Sequence, residues 1–200
     1  MIENLDAFYR VDTVPAERAW VIVSMIASID GATAVDGVSG ALGHPTDKAV
    51  LGLARAAADV ILVGAATVRA EGYGPPRPPT QLVVVSRGLG GGLADLGALA
   101  AAPNTSMVTP SEGAEQVNLG ALLARWPGQV AVCEGGPNLN GQLLAAGLVD
   151  EVFLTISPRM LAGASSRLAH GPDAADPAAW HLRHILHDDG YLILRYRRRR

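Results

Sequence analysis

Apolar and polar positions divide the chain into short apolar runs separated by glycine-rich turns and amphipathic stretches, the pattern of strands alternating with helices. Trp20 to Ala27 (WVIVSMIA), Asp59 to Val63 (DVILV), Gln81 to Val85 (QLVVV), Thr105 to Val108 and Val130 to Cys133 (VAVC) read as strands. Their near-continuous apolar character suits strands buried on both faces. Pro45 to Ala58 predicts a helix, opened by His44-Pro45-Thr46-Asp47 and carrying Val50, Leu51 and Leu53 inward. A short helix is expected around Thr67 and Val68, and another from Val117 to Trp126.

The clearest unit is Val130 to Pro158. Its first strand stops at Glu134-Gly135-Gly136, where paired glycines let the backbone turn in a place a Cβ would clash. Pro137 suits the first turn of a helix, Leu139, Leu143 and Leu144 give it an apolar stripe, and Gly147 suits the left-handed residue that ends it. Asp150 to Ser157 follows as a strand. His181 to Tyr196 reads as a hairpin turning at Asp188-Asp189-Gly190, so part of the sheet is antiparallel. The expected architecture is α/β, a mixed sheet with helices on both faces in a single domain over residues 1–200, with a surface-wrapping extension at 1–18.

Sixteen basic residues against nineteen acidic ones give a net charge of −3, which lacks the electrostatic footprint of a nucleic-acid or membrane-surface protein. The Arg197 to Arg200 tail is a local exception and reads as a solvated, frayed terminus. One cysteine forbids an intramolecular disulfide and a multi-cysteine zinc site. The N-terminus lacks a basic region followed by an apolar core, and no apolar stretch approaches the ~18 residues of a membrane span. A soluble, cytoplasmic setting is expected.

A strand, a glycine turn and a helix start together present N–H groups and a positive dipole end to an anion, usually a phosphate, which makes a nucleotide the leading ligand. The same glycines also suit a plain strand-to-helix connection. Asp30, in the turn Ser28-Ile29-Asp30-Gly31, places a carboxylate at a strand's end, either as a functional group or as a cap for the loop. Gly88-Leu89-Gly90-Gly91-Gly92-Leu93 nearly spells a dinucleotide fingerprint, but Leu93 stands where the third glycine belongs. Gly88 to Pro103 therefore reads as a flexible surface connection. His184 and His187 point to opposite faces of a strand, so no metal site is expected from the His181, His184 and His187 cluster.

Four motifs in register carry a family resemblance: Ser28-Ile29-Asp30-Gly31; Ala58 through Val68 (ADVILVGAATV); Glu134-Gly135-Gly136-Pro137; and Gly147-Leu148-Val149-Asp150-Glu151. In order and spacing they resemble the reductase domain of riboflavin biosynthesis, found at the C-terminal end of the bifunctional pyrimidine deaminase/reductase. The resemblance covers about Trp20 to Tyr196. It implies a dihydrofolate-reductase-like fold with a mostly parallel sheet, NADPH as cofactor, hydride transfer to a small pyrimidine or pteridine, and a homodimer. The partner deaminase needs a Pro-Cys-x-x-Cys arrangement that one cysteine cannot supply, so a stand-alone reductase-type domain is expected.

Under this resemblance Ser86 and Arg87 hold the 2′-phosphate of NADPH, a role the planar donor fork of arginine suits. Gly64, Thr67 and Val68 approach the cofactor, and Gly135, Gly136, Pro137 and Leu139 cradle its pyrophosphate. Glu134 faces the substrate, accepting ring N–H bonds or balancing a cationic imine, with Asp30 the other candidate catalytic carboxylate. Ser28, Ala32, Arg55, Glu71 and Arg77 fall on the substrate side, where the chain departs from the family. Ala32 stands where Lys or Arg is usual, Gly43 replaces a hydroxyl residue, Gly52-Leu53-Ala54-Arg55 replaces His-Arg-Leu-Arg, and Glu71 replaces the common Asp. Three functions follow: the 5-amino-6-(5-phosphoribosylamino)uracil reductase, a diverged reductase of a pterin or dihydrofolate-like substrate, or a non-catalytic nucleotide-binding protein.

Overall fold

A computed structural model describes residues 5, 9–11, 17–88, 92–172 and 177–199. The first half of the chain forms β1 (Trp20–Ser28), α1 (Pro45–Ala57), β2 (Val60–Gly64), α2 (Ala65–Glu71), β3 (Gln81–Val85) and β4 (Thr105–Val108). The second half forms α3 (Leu119–Leu123), β5 (Val130–Cys133), α4 (Pro137–Ala145), β6 (Glu151–Ser157), β7 (Trp180–Asp188) and β8 (Tyr191–Arg198). Among the described residues, eight strands make one sheet in the order β4-β3-β2-β5-β1-β6-β8-β7. The pairings from β4 to β6 are parallel, and β8 runs antiparallel to both β6 and β7. The mostly parallel sheet and the closing hairpin match the expectation.

Alternation along each strand sends successive side chains to opposite cores. Val21, Val23, Leu62, Ala131 and Cys133 pack with Leu119 and Leu123 of α3 and Leu139 and Leu143 of α4. Ile22, Ile61, Val63, Val84 and Val132 pack with Val50 and Ala54 of α1 and Val68 of α2. Helices therefore cover both faces, which is why the central strands are apolar at every position. The end of α4 follows the left-handed capping pattern: Gly147 adopts φ +67°, its N–H reaches Leu144 O (3.0 Å), and Leu148 N–H reaches Leu143 O (2.9 Å).

Several expectations need correction. Helix α1 buries Val50 and Ala54, whereas Leu51 is half-buried because it lies on a helix face that borders a cavity. Helix α3 is shorter than Val117 to Trp126, since Arg125 and Trp126 N–H groups bond three residues back and tighten its end. Leu93–Ala101 is not a flexible connection but 3₁₀ turns kinked at Gly97, with Leu96 and Leu99 buried. Residues 89–91 of the near-fingerprint lie outside the described residues.

Nor are Arg197 to Arg199 of the basic tail frayed, while Arg200 lies outside the described residues. Arg197 and Arg198 belong to β8. Glu151, fully buried, accepts from Arg195 Nη2 (2.9 Å) and Arg197 Nε (2.7 Å), and Arg197 also lies 5.1 Å over the Trp20 ring. Among the described residues of the extension, Tyr9 likewise enters the core: it is buried and meets Phe153 edge-on with ring centroids 5.0 Å apart, and Arg10 O accepts from Arg195 Nη2 (2.9 Å). His184 is half-buried against Tyr9, while His181 and His187 are exposed.

Candidate active site

The chain leaves a cavity of about 850 Å³ between β1, α1, α2 and the turn that follows β5. Helix α1 contributes Asp47, Leu51 and Arg55, whose spacing of four puts them on one helix face. Thr67 and Glu71 do the same from α2. Ser165 and Ser166 reach the cavity from the loop between β6 and β7, which is fastened by Thr33 N–H to Ser166 O (3.0 Å) and by the Ser165 hydroxyl to Ala34 O (2.9 Å).

Glu134 ends β5 and is buried in the cavity wall. Its carboxylate accepts a fork from Arg55, Nε at 2.7 Å and Nη2 at 2.6 Å, and a further bond from the Tyr73 hydroxyl at 2.7 Å. The bond to Glu134 is the main reason the Arg55 guanidinium holds its proton more tightly than usual. Burial, then the charge of Glu134, pushes the Tyr73 hydroxyl up, so it stays a donor. Asp47 is different. Burial raises its carboxyl above the ordinary Asp value against the opposing hydrogen bond of the Thr155 hydroxyl. A carboxyl held toward its neutral form can give up a proton inside the cavity.

Beside these side chains lies a cradle made of backbone. Gly64 N–H donates to Gly135 O at 2.7 Å, and Gly135 has φ +83° across a cis Gly135–Gly136 peptide. A Cβ at Gly135 would stand 3.0 Å from Met25 Sδ, at Gly136 2.6 Å from Thr67 Oγ1, and at Gly64 3.3 Å from Gly136 N. Helix α4, nine residues long, starts at once with Pro137, and no side chain caps it. Pro137 has no N–H, and the Leu139 and Asn140 N–H groups donate to Gly136 O (3.0 and 3.1 Å), so it is the positive dipole end of α4, beside the glycines, that suits an anion.

The family model for the RibD C-terminal domain matches residues 19–194. The chain belongs to this family. Its fold is shared by a pyrimidine reductase-like protein from Corynebacterium diphtheriae, with 24% identity, TM-score 0.74, and coverage of 91% of this chain and 92% of that one. A Thermotoga maritima diaminohydroxyphosphoribosylaminopyrimidine deaminase/5-amino-6-(5-phosphoribosylamino)uracil reductase is 18% identical with TM-score 0.69; the match covers 90% of this chain but spans only 57% of that protein. The dihydrofolate reductase of Enterococcus faecalis, in complex with NADP(H), is 15% identical with TM-score 0.58 over 90% of this chain and 96% of that one. No curated protein matches the sequence. The fold of this RibD C-terminal-domain family member is thus dihydrofolate-reductase-like.

Of the residues the sequence singled out, Arg55, Thr67, Glu71, Glu134, Gly136 and Pro137 line the cavity. Gly64 and Gly135 form the cradle behind it. Ser86 and Arg87 lie outside the cavity at the end of β3, one step past Val85, which pairs with Gly64 in the next strand. Arg87 is exposed, and the buried Ser86 hydroxyl accepts from Gly88 N–H at 3.2 Å. Val68 and Leu139 instead point into the two cores, because each falls on the inner face of its helix.

The turn after β1 is also displaced from the chemistry. Asp30 does not line the cavity; its carboxylate accepts from the Ser28 hydroxyl (2.5 Å), Ala162 N–H (2.7 Å) and Leu161 N–H (3.2 Å). Those bonds, the Ser28 hydroxyl first, lower its pKa to about 2 and pin the turn to the loop after β6. Ser28 and Ala32 are buried in that turn, with Ala32 N–H on Ser28 Oγ at 2.9 Å, and Arg77 is exposed elsewhere. Asp47 and Tyr73 were missed. The row Asp47, Leu51, Arg55 behind a His-Pro-Thr helix start was the available signal for Asp47; Tyr73 carried none, since only folding brings it to Glu134.

Proposed function

We propose that this chain is an NADPH-dependent oxidoreductase that reduces a small nitrogen heterocycle of the pyrimidine or pteridine kind, resembling 5-amino-6-(5-phosphoribosylamino)uracil reductase. The observation that carries this reading is the opening of a glycine cradle, which any Cβ would crowd, onto the same cavity as Asp47 and the Glu134–Arg55 pair. The cradle fits a dinucleotide's pyrophosphate: Gly64, Gly135 and Gly136 admit close approach, and the positive dipole end of α4 lies beside them. Ser86 and Arg87 lie one strand further along the same sheet end, roughly 5 Å per strand step, where Arg87 meets the 2′-phosphate. The nicotinamide group, when bound, supplies the hydride.

The remaining tasks fall to the chain's own residues. Asp47 gives a proton to the substrate nitrogen that takes up the electron pair. Arg55 and Tyr73 fix Glu134, so the floor of the pocket keeps one shape. Asp30 holds the loop bearing Ser165 and Ser166 against the turn after β1. The protein acts in the cytoplasm as a homodimer, for which the exposed Leu182 and Ile185 of outer strand β7 offer apolar surface.

The test is to follow NADPH oxidation with 5-amino-6-(5-phosphoribosylamino)uracil, its unphosphorylated form and dihydrofolate side by side. Turnover of at least one is expected, and Asp47→Asn should cut it by about 10²- to 10⁴-fold while NADPH affinity holds. An unchanged rate in that variant contradicts the role of Asp47, and no NADPH binding at all contradicts the function.

A further inference from the structure

The charges that line the cavity are unbalanced. Among the described residues, four acidic side chains, Asp36, Asp47, Glu71 and Glu134, line it beside a single cationic one, Arg55, and of the four Asp47 is held toward its neutral form. That cation is already committed through both Nε and Nη2 to Glu134. Drawing it toward a ligand would strand a buried carboxylate, which is strongly unfavourable. One oxygen of Glu71 accepts Ser39 N–H at 2.7 Å, and this bond does not remove its charge. Arg159 and Arg167, on the loop that carries Ser165, do not line the cavity. The remaining polar side chains of the lining are hydroxyls, Thr33, Thr67, Tyr73 and the serines, which carry no charge to offset the acids.

Resting on the reading that a heterocycle enters here beside a nicotinamide, we propose that the cavity selects against phosphorylated substrates. It takes a neutral or cationic nitrogen heterocycle whose ring and amine N–H groups are met by Asp36, Glu71 and Asp47. A dianionic phosphate in such a cleft is opposed by a field that low-dielectric walls concentrate, with no free cation to answer it. N–H donors, in contrast, gain charge-assisted bonds. The anionic cofactor escapes the conflict because its phosphates go to the glycine cradle and to Arg87, away from the acidic row.

A matched pair of ligands tests this. 5-Amino-6-ribosylaminouracil and its 5′-phosphate are titrated calorimetrically into protein saturated with NADP⁺, which cannot turn either over. The unphosphorylated compound should bind at least about tenfold more tightly. In Asp36→Asn/Glu71→Gln the gap should shrink to about threefold or less, and added salt should narrow it in the wild type, as like-charge repulsion requires. Equal or tighter binding of the phosphate form, or no binding of either compound, overturns the proposal. Failure of NADP⁺ itself to bind would refute the proposed function separately, and the ligand preference would then be read on the unloaded protein.

Discussion

The two sides of the cavity are built by different means. The side proposed for the cofactor is backbone: Gly64, Gly135 and Gly136 lie so close that an added Cβ would come within 3.3 Å of a neighbour in each case. The substrate side is side chain: Asp47, Arg55, Glu71, Tyr73 and Glu134, drawn from α1, α2 and the end of β5. A backbone cradle tolerates few changes of sequence, because each glycine answers to sterics. A side-chain wall can be rewritten one residue at a time without disturbing the sheet that carries it.

The contrast breaks most sharply at Gly136. Gly136→Ala should lower NADPH affinity by about a hundredfold or more, since the new methyl meets Thr67 Oγ1 at 2.6 Å and also stands where the pyrophosphate approaches. Adding Thr67→Ala removes the internal clash alone. If the double variant recovers NADPH binding to the level of Thr67→Ala, the glycine serves packing and not the cofactor. Next in size is Arg87→Ala, expected to erase a preference for NADPH over NADH worth about 1.5–3 kcal/mol, or roughly ten- to a hundredfold. A preference that survives the change moves the 2′-phosphate site elsewhere.

On the substrate side, Arg55→Ala leaves Glu134 buried with only the Tyr73 hydroxyl. Breaking a buried pair costs about 3–5 kcal/mol, but 45% of the Arg55 side chain is exposed, which reduces the expectation to roughly 1–3 kcal/mol in urea unfolding. Glu134→Gln in the same chain should restore part of that loss. A full loss persisting in the double variant would mean that Arg55 acts through packing.

The smallest effects are in pH dependence, and the two aspartates should differ in sign. The folded pKa of Asp30 is about 2 against 3.8, so its contribution is present above 3.8 and disappears as pH falls through about 2. Wild type should therefore lose stability relative to Asp30→Asn as acid is added, by a small amount because the group is exposed. Asp47 is raised, so the folded state holds its proton longer than the unfolded one, and wild type should lose stability relative to Asp47→Asn as pH rises past 3.8. Thermal midpoints across pH for the three proteins check both slopes. Parallel slopes would place the two carboxyls in equivalent surroundings, contrary to the geometry.

How much was legible follows from the same division. Strand-glycine-helix units declare themselves locally, since Val130 to Cys133, the glycine pair and Pro137 are consecutive, and the sheet and the cradle were readable for that reason. Tyr73 and Glu134 are 61 positions apart, and no spacing rule joins them. Asp30 stayed open between two roles because a carboxylate after a strand looks the same whether it meets a ligand or ties down a loop. The arginine tail misled because its partner, Glu151, lies 46 residues away from Arg197 in a motif that reads as a strand start. Leu96 and Leu99 were hidden by the glycines around them, which suggest flexibility until the leucines find a core.

The central claim, that the glycine cradle opening on this cavity holds NADPH, has a direct test. NADPH is titrated into the wild-type protein by calorimetry while the fluorescence of its dihydronicotinamide ring is followed. Saturable heat at one cofactor per chain, with the ring's emission changing in step as it leaves water for the cavity, is the predicted result. Saturable heat without any change at the ring would leave the nicotinamide outside the cavity, and no saturable heat at all would contradict the claim outright.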